Sequence, residues 1–298
     1  MAGPSRTLSL AAVLVVEVAL LAGALTAGGF ARPDIARTDL ADAPPVVASP
    51  TGPGRYSFDC GVNAEGHRNT ANVVVTPGVP GPEHHVHDYV GNLATDVDST
   101  DASLAAAGTS CGNGDLSTFY WPVLRAGGEH SAILTPRTVR LEYLAAVTGE
   151  VVAPPAGLRA MTGDARAATG GAFGTPTWTC AGAEDRRTDS YPRCPAGRDV
   201  ERVFEFPSCW DGLHPDSEGH RRHLVFAEPD GSCRRGTFPV PRLRIIAGYA
   251  ATGDFTVDAF PDQKRSARSD HGIMINLAPT ALMADIVACL NRGGVCTA

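Results

Sequence analysis

The sequence predicts a mostly β protein: a single sandwich-like or jelly-roll-like domain with short strands, long loops, disulfides and a C-terminal helix. Among its 298 residues, 33 are Gly and 23 are Pro. Together they make up about 19% of the chain, against roughly 12% in average proteins. This density of turn-forming residues favours short strands over a helical bundle. The chain also lacks any fixed-period repeat, which excludes solenoids and coiled coils.

Nine short apolar segments bounded by turn signals are the predicted strands. They are Asn72–Val75, His85–Val90, Thr138–Val147, Leu158–Met161, Thr177–Cys180, Arg202–Phe206, Arg222–Ala227, Leu243–Ala247 and Asp254–Val257. One helix is predicted over Pro279–Asn291, because its apolar residues recur at helical spacing. Pro279 suits the first turn of that helix and Gly293 suits its end. The apolar residues that form one face of this helix are Leu282, Met283, Ile286, Val287 and Leu290.

The N-terminal segment indicates export. Arg6 precedes an apolar run, Leu8–Leu25, that only Glu17 interrupts. This pattern predicts a signal peptide over residues 1–31, with cleavage after Ala24 or Ala31. The alternative is an uncleaved membrane anchor, which the length of the run allows but the charge of Glu17 disfavours. Either way the protein is expected to be secreted or to lie on the extracellular face of the membrane, with this segment as its membrane contact.

The next segment, residues 32–54, is rich in Pro, Ala and Asp and has no apolar periodicity. It predicts a flexible linker. No later shift in composition marks a boundary, so residues 55–298 are predicted to form one globular domain. The formal net charge of −7 argues against a nucleic-acid-binding protein.

All eight cysteines follow the N-terminal segment, and their number is even. In an oxidising compartment they predict four disulfides, for which 105 pairings exist. Metal binding by cysteine is disfavoured because no CxxC pair is present. Proximity along the chain favours Cys180–Cys194, Cys209–Cys233 and Cys289–Cys296, which leaves Cys60 with Cys111.

Histidines are grouped in three strings. In GPEHHVHDYVG, His85 and His87 point to one face if the segment is a strand. In HPDSEGHRRHLVF, His220 and His223 are three residues apart, and His271 follows in SDHGIMIN. Paired imidazoles are typical ligands of zinc, copper or iron. We therefore predict a metal site formed by His85, His87, His220 and His223. The alternative is that these histidines are hydrogen-bonded surface residues.

The string FEFPSCWDGLHPD suggests a sugar-binding loop. Cys209 anchors it, so that Trp210 is expected to stack on a sugar beside the carboxylate of Asp211. The alternative is that Trp210 is buried beside the disulfide and that Asp211 closes a turn with Gly212. In SCGNGDLSTFYWPVL, Trp121 suits either a groove wall or the edge of the core. The chain lacks GxGxxG, Walker and HExxH strings, which excludes the enzyme classes that depend on them.

Taken in order, these strings resemble a family of exported proteins from actinobacteria and fungi, catalogued as domain of unknown function nineteen-ninety-six. The resemblance runs from Tyr56 to Cys289, and FPSCWDG is its most specific string. The positions that match the family pattern are His85, His87, Gly91, Cys111, Tyr120, Trp121, Pro122, Phe206–Gly212, His220, His223, His271 and Asn276. The resemblance implies a common site without supplying a reaction.

Two departures from the family pattern bear on that site. Ile273 and Met274 stand where the late motif of the family has Asp and Phe. The change implies either a lost activity or the use of Met274 as a soft metal ligand. Arg222 replaces the serine of H-x-S-H, where its charge suits an anionic ligand.

Two functions follow as expectations. The first is an exported hydrolase or metal-dependent enzyme acting on cell-wall or environmental polysaccharide. Its predicted catalytic residues are His85, His87, Asp211, His220, His223 and His271, and Trp121, Trp210 and Arg222 would bind substrate. Asp88, Asp115 and Asp211 are the candidates for a carboxylate pair. The second is a non-catalytic carbohydrate-binding or wall-binding module whose histidines are structural or bind a metal.

Overall fold

Short strands carry most of the regular structure in the computed structural model, which describes residues 37–43, 45, 50–82, 85–127, 131–169, 177–250 and 253–298. Within these ranges there are nineteen strands and two α-helices, which confirms the mostly β class. The helices are α1 (Asp101–Ala105) and α2 (Thr280–Asn291). The strands are β1 (Arg37–Asp39), β2 (Arg55–Phe58), β3 (Arg68–Asn69), β4 (His87–Gly91), β5 (Thr118–Pro122), β6 (Leu124–Ala126), β7 (Ile133–Leu134), β8 (Thr138–Leu144), β9 (Arg159–Gly163), β10 (Thr177–Cys180), β11 (Tyr191–Arg193), β12 (Val200–Glu205), β13 (Cys209–Trp210), β14 (Leu224–Val225), β15 (Phe238–Pro239), β16 (Arg242–Tyr249), β17 (Phe255–Val257), β18 (His271–Ile275) and β19 (Val295–Thr297).

Two sheets form the centre of the protein. A six-stranded sheet has the order β10-β12-β16-β8-β2-β19, and a five-stranded sheet has the order β3-β4-β5-β18-β9. Neighbouring strands are antiparallel except for β19, which runs parallel to β2. Side chains of both sheets meet in one apolar core, where Phe58 contacts Phe119 and Trp121 stacks on Phe204. The two sheets therefore pack face to face, as in a sandwich.

The five-stranded sheet is buried on its second face as well. Tyr89, Tyr120 and Ile273 on that face pack with Val73 and Val74 from the preceding loop. The sequence-based prediction of a strand over Asn72–Val75 is wrong, because the amide of Thr76 donates to the carbonyl of Asn72 and closes a turn there. The segment carries valines because they cover the second face of the sheet.

Most of the other predicted strands are confirmed, with small shifts of their ends. Thr177–Cys180 forms β10 as predicted, whereas the segment Arg222–Ala227 contributes only the two residues of β14. Five strands of the two central sheets were not predicted from the sequence: β2, β3, β5, β18 and β19.

The four disulfides are Cys60–Cys111, Cys180–Cys194, Cys209–Cys233 and Cys289–Cys296. The pairing favoured by chain proximity is thus confirmed. The predicted C-terminal helix is also confirmed as α2, which buries Met283, Ile286 and Leu290. Its end coincides with the positive φ of 68° at Gly293, a conformation that glycine adopts without steric cost.

The predicted signal or anchor over residues 1–31 lies outside the described residues. Part of the predicted linker is described, and Arg37–Asp39 in it pairs in parallel with β11. Leu40 follows this strand and is buried. Neither helix of the described part of the chain has the length and apolar character needed to cross a membrane.

Candidate metal centre and its cleft

The pairing of three strands brings two histidines to the same level of the five-stranded sheet. His87 on β4 pairs with Pro122 on β5, and Ile273 on β18 pairs with Tyr120. Continuing that register by two residues brings His271 to the level of Pro122 on the opposite side of β5. The rings of His87 and His271 meet across this strand, with centroids 5.8 Å apart.

A third histidine, His85, joins them from the segment that leads into β4. Its ring stacks on that of His271 at a centroid distance of 5.2 Å and meets the ring of His87 edge-on at 4.7 Å. Phe260 covers the ring of His85 at 4.4 Å. His85 and His87 thus lie together, as their spacing predicted, and His271 completes a triad that we call the histidine triad.

The histidine triad has the donor set of a metal site. Each ring offers one nitrogen, and the three nitrogens lie within 4.8 Å of one another. All three side chains are buried, with at most 4% of any residue exposed. A tetrahedral ion bound at 2.0–2.1 Å needs its ligand nitrogens about 3.3 Å apart. The rings therefore need to approach by about 1.5 Å or less to hold zinc.

Backbone carbonyls select the tautomers of two of these rings. Nδ1 of His85 donates to the carbonyl of Asp258 at 3.1 Å, and Nδ1 of His271 donates to the carbonyl of Ser269 at 3.0 Å. A carbonyl only accepts, so each Nδ1 carries the proton and each Nε2 keeps its lone pair. This arrangement, with the far nitrogen anchored on a carbonyl, is typical of metal-binding histidines.

Several polar atoms of the triad lack partners. Among the described residues, neither ring nitrogen of His87 nor Nε2 of His271 has a hydrogen bond. A buried polar atom without a partner costs about 1–3 kcal/mol. A bound metal ion would provide a partner for Nε2 of His271 and for one of the two ring nitrogens of His87.

Burial also sets the protonation state of two rings of the triad, His87 and His271. Desolvation, helped by the nearby His85, lowers the pKa of His87 well below its usual value. The same two causes lower the pKa of His271 to about 3. Both imidazoles are therefore neutral at neutral pH, which is the form that binds a metal.

Asp258 holds the segment that carries His85. Its carboxylate accepts hydrogen bonds from Nε and Nη2 of Arg125, at 2.9 and 3.1 Å, and from the backbone amide of Val86 at 3.0 Å. Its own carbonyl accepts the proton of His85. Asp258 thus connects β17 to the histidine segment and fixes the orientation of one ligand.

The triad lies at the floor of a cleft of about 600 Å³, a volume within the usual range of small-molecule sites. His85 and His271 line it, whereas His87 lies beneath them. Val75 and Val79 form an exposed apolar rim, 44% and 56% accessible. The other lining residues are Thr70, Asn72, Thr76, Pro80, Gly81, Pro82, Met161, Asp164, Ala165, Arg166, Gly219, His220, Arg221 and Phe260.

His220 enters this cleft as part of an Asp–His pair. Its Nδ1 donates to the carboxylate of Asp216 at 2.8 Å. Its backbone has a φ of 58°, which is uncommon for a residue with a side chain, and Gly219 before it has a φ of 71°. Such strained positions are enriched at functional sites. The neighbouring Arg221 donates to the carbonyl of Gly163, the residue that pairs with His271.

His223, also predicted as a metal ligand, does not join the triad. Its Nδ1 is hydrogen-bonded to the hydroxyl of Ser217 at 2.9 Å, and its Nε2 is hydrogen-bonded to the carbonyl of Arg159 at 2.8 Å. Both nitrogens are thus used within the protein. Of the four predicted ligands, the structure brings together His85 and His87, and His220 lines the same cleft.

In the loop that contains Trp210 and Asp211, Asp211 follows the alternative interpretation, whereas Trp210 is only partly buried. The carboxylate of Asp211 accepts from the amides of Leu213 and His214, both at 2.9 Å, and closes the turn. The indole of Trp210 donates to the carbonyl of His214. Neither residue is among those that line the cleft.

Two predicted substrate contacts need correction. Trp121 is fully buried, and its indole donates to the hydroxyl of Tyr249, so its ring is part of the core and is closed to a sugar. Arg222 is exposed outside the cleft, next to Glu218 at 3.8 Å. The preceding residue, Arg221, does line the cleft, as does Arg166.

The proposed carboxylate pair is not assembled in the cleft. Asp88 is buried beside Arg68 and Asn63. Asp115 is buried as well and accepts from the amide of Ser117. Desolvation raises the pKa of both carboxyls. Neither lines the cleft, so hydrolysis by two carboxylates has no support from their positions.

The two departures from the late motif lie on opposite faces of β18. Ile273 shares the face of His271 and is fully buried against Tyr120. Met274 points to the other face, where the hydroxyl of Tyr143 lies 4.0 Å from its sulfur. A role for Met274 as a ligand of the same metal is thus wrong, because alternate residues of a strand face opposite sides.

The sequence between the loop before β4 and the end of β18 matches one family model. It is described as Domain of unknown function (DUF1996), and the match covers residues 72–274. The chain belongs to this family. No curated protein and no solved structure matches it. The match spans all three histidines of the triad and His220 in this DUF1996 protein.

Sequence reasoning missed the residues that support the triad. Asp258, Arg125 and Phe260 occur in no recognisable string, and only folding brings them to His85. The one available signal was Asp270, a carboxylate directly before His271. Acidic residues next to a histidine ligand often belong to its supporting shell.

Proposed function

We propose that this DUF1996 protein is an exported metalloenzyme in which the histidine triad holds a divalent transition metal, zinc, copper or iron, at the floor of the cleft. The observation that carries the proposal is the set of three buried imidazoles whose ligand atoms lie within 4.8 Å of one another. Three protein ligands with an open position are typical of catalytic rather than structural metal sites. The cleft supplies the room for a substrate at that open position.

Hydrolysis is the reaction that these groups support best. A divalent metal with an open position lowers the pKa of a bound water and so provides hydroxide near neutral pH. The hydroxide would form a bond to the sugar carbon as the bond from that carbon to the leaving oxygen breaks, and His220 would supply the proton that the leaving oxygen needs. Asp216 orients His220 for this role, because its carboxylate holds Nδ1 and leaves Nε2 for the exchange.

We propose polysaccharide of the cell wall or the environment as the substrate class. The apolar rim of Val75 and Val79 suits the apolar face of a sugar ring, and Phe260 provides an aromatic surface inside the cleft. The guanidinium of Arg221 provides a hydrogen-bond donor for hydroxyl or acidic groups. This substrate assignment replaces the sequence-based one on Trp121 and Trp210.

Export is supported by two features of the chain. The N-terminal 31 residues have the pattern of a signal segment. Four disulfides that involve every cysteine suit an oxidising compartment.

Metal analysis tests the site. The purified full-length protein should bind one zinc or copper ion per chain after dialysis against the metal. His85→Gln and His271→Gln should each lower the bound metal to a small fraction of that value. His214→Gln is the matched control, because His214 is exposed and hydrogen-bonded to Asp211 away from the cleft residues. Equal metal content in all four proteins would refute the triad as the metal site.

Product release from a panel of wall glycans tests the catalysis. The metal-loaded protein should release reducing ends from at least one glycan, and His220→Gln should remove this activity while metal content stays at one per chain. A protein that binds metal and glycan but releases no product would instead be a carbohydrate-binding module. Retained activity in His220→Gln would exclude His220 as the proton donor.

A further inference from the structure

A second cavity lies beside the Cys180–Cys194 disulfide. Its volume is about 600 Å³, and it shares no lining residue with the cleft of the histidine triad. Residues of the turns that flank β10 and β11 line it, together with Asp39–Ala41 from the N-terminal strand and the turn after it. The disulfide joins the two turns across the cavity and so fixes its wall.

Three arginines dominate the charge of this cavity. Arg186, Arg193 and Arg198 line it, against the single carboxylate of Asp39. One oxygen of Asp39 already accepts the amide of Ala41 at 3.0 Å. The lining thus carries an excess of two positive charges in a protein whose formal net charge is −7. Such a local concentration of positive charge attracts anions.

Two of these guanidinium groups are held in place by the backbone. Arg186 donates through Nη1 to the carbonyl of Ala41 at 2.9 Å, and Arg198 donates through Nη1 to the carbonyl of Ala181 at 3.0 Å. Gly182 allows the second contact, because a Cβ there would collide with the guanidinium of Arg198. Each guanidinium has five N–H groups, so donors remain for a ligand.

We propose that this cavity binds a phosphate group. A phosphate monoester carries about −1.5 to −2 charges and three acceptor oxygens, which match two excess positive charges and three guanidinium groups. Arginine binds phosphate through two parallel hydrogen bonds, a geometry that ammonium groups lack. The site is independent of the histidine triad and of the function proposed for it. Its ligand is either free phosphate or a phosphorylated sugar.

Calorimetric titration of the full-length protein tests the site. The protein is first freed of metal with chelator and dialysed, so that phosphate has no metal to bind at the triad. The probes are inorganic phosphate, glucose 6-phosphate and glucose. Binding of either phosphate with one site per chain, and no binding of glucose, is the expected result. Comparison of the two phosphates separates a free-phosphate site from a sugar-phosphate site, and absence of both would overturn the proposal.

Charge-removing variants locate the binding. Arg193→Gln and Arg198→Gln should each weaken phosphate binding by about tenfold, the loss expected for one charge-assisted hydrogen bond. Arg234→Gln is the matched control, because Arg234 is also an exposed arginine next to a disulfide but lies outside the cavity. Equal affinities in all the variants would refute the location. A thermal melt of each variant confirms that it is folded.

Discussion

Arg202 and Asp270 form a fully buried ion pair directly behind the histidine triad. Nε of Arg202 donates to Oδ2 of Asp270 at 3.0 Å, Nη2 donates to Oδ1, and both side chains are inaccessible to solvent. Asp270 also accepts the amide of His271 at 3.0 Å. Arg202 donates to the carbonyl of Pro122, the residue that pairs with His87. The pair thus fixes the backbone on which two of the three ligands are mounted.

The surroundings keep Arg202 charged, whereas burial raises the pKa of Asp270 and the adjacent guanidinium opposes this effect. Burial by itself lowers the pKa of Arg202, but the adjacent Asp270 raises it to above its usual value. The rings of Trp178, Phe204 and Tyr249 lie 5.1–5.7 Å from the guanidinium carbon. Aromatic faces attract a cation at such distances, so Arg202 is stabilised from several sides.

Asp270→Asn should therefore destabilise the protein and weaken metal binding together. It leaves the Arg202 charge buried without a counter-charge, which costs about 3–5 kcal/mol. Urea denaturation measures this loss, and a metal competition assay should give an affinity lower by about 10-fold to 100-fold.

A surface pair provides the control for that substitution. Asp199 contacts Arg137, whose side chain is 64% exposed, so Asp199→Asn should cost less than about 1 kcal/mol and leave metal affinity unchanged. The double variant Arg202→Met/Asp270→Asn should recover part of the stability, because it removes the isolated charge. If Asp270→Asn matches the wild type in both assays, the ion pair does not support the triad.

His223→Gln separates a structural histidine from a metal ligand. His223 bridges Ser217 and Arg159 through both ring nitrogens, and glutamine cannot span the same two partners. We expect a loss of about 1–3 kcal/mol in unfolding free energy with metal content unchanged at one ion per chain. Loss of the metal in a variant that is still folded would restore His223 to the ligand set.

The sequence predicted the proximity of His85 and His87 better than their contact with His271 on β18. The spacing of His85 and His87 is local and depends only on the conformation of three residues. His271 reaches them through the register of β18 on β5, which pairs residues about 150 positions apart along the chain, such as Ile273 and Tyr120. Both strands are buried on both faces, so their residues lack the alternation of polar and apolar that reveals a strand.

The spacing of His220 and His223 was misleading for a similar reason. Three residues apart, they were expected to act together. The left-handed backbone at Gly219 and His220 turns the ring of His220 into the cleft, while the ring of His223 is buried under Ser217.

Disulfide pairing was predictable because three bridges join close neighbours, 7, 14 and 24 residues apart, where loop closure costs little entropy.

The disulfides should differ in their contribution to stability according to loop length. Cys60–Cys111 spans 51 residues and Cys289–Cys296 spans 7. The chain-entropy relation gives a stabilisation of about 4 kcal/mol for the Cys60–Cys111 bridge and about 2.4 kcal/mol for the Cys289–Cys296 bridge. Cys60→Ser/Cys111→Ser should therefore lower the denaturation midpoint more than Cys289→Ser/Cys296→Ser. The reverse order would mean that native packing around the short C-terminal bridge outweighs loop entropy.

Acid should destabilise the metal-free protein through the triad. The unfolded chain protonates histidine near pH 6.5, whereas burial lowers the pKa of His271 to about 3 and also lowers that of His87. Between these values the unfolded state binds more protons than the folded state. The stability that the two neutral histidines contribute is therefore fully present above about pH 6.5 and is lost as the pH decreases. Each of the two histidines contributes a slope of up to about 1.4 kcal/mol per pH unit.

Urea denaturation in chelator between pH 7 and pH 5 measures this slope. The buried carboxyls of Asp88 and Asp115, whose pKa is raised by desolvation, act in the opposite direction, so the slope of one protein mixes both effects. The difference between the wild type and His87→Gln/His271→Gln isolates the triad, because the carboxyls are common to both. We expect the variant to lose less stability on acidification. Parallel curves would show that the two histidines are protonated in the folded protein as easily as in the unfolded chain, which is incompatible with their burial.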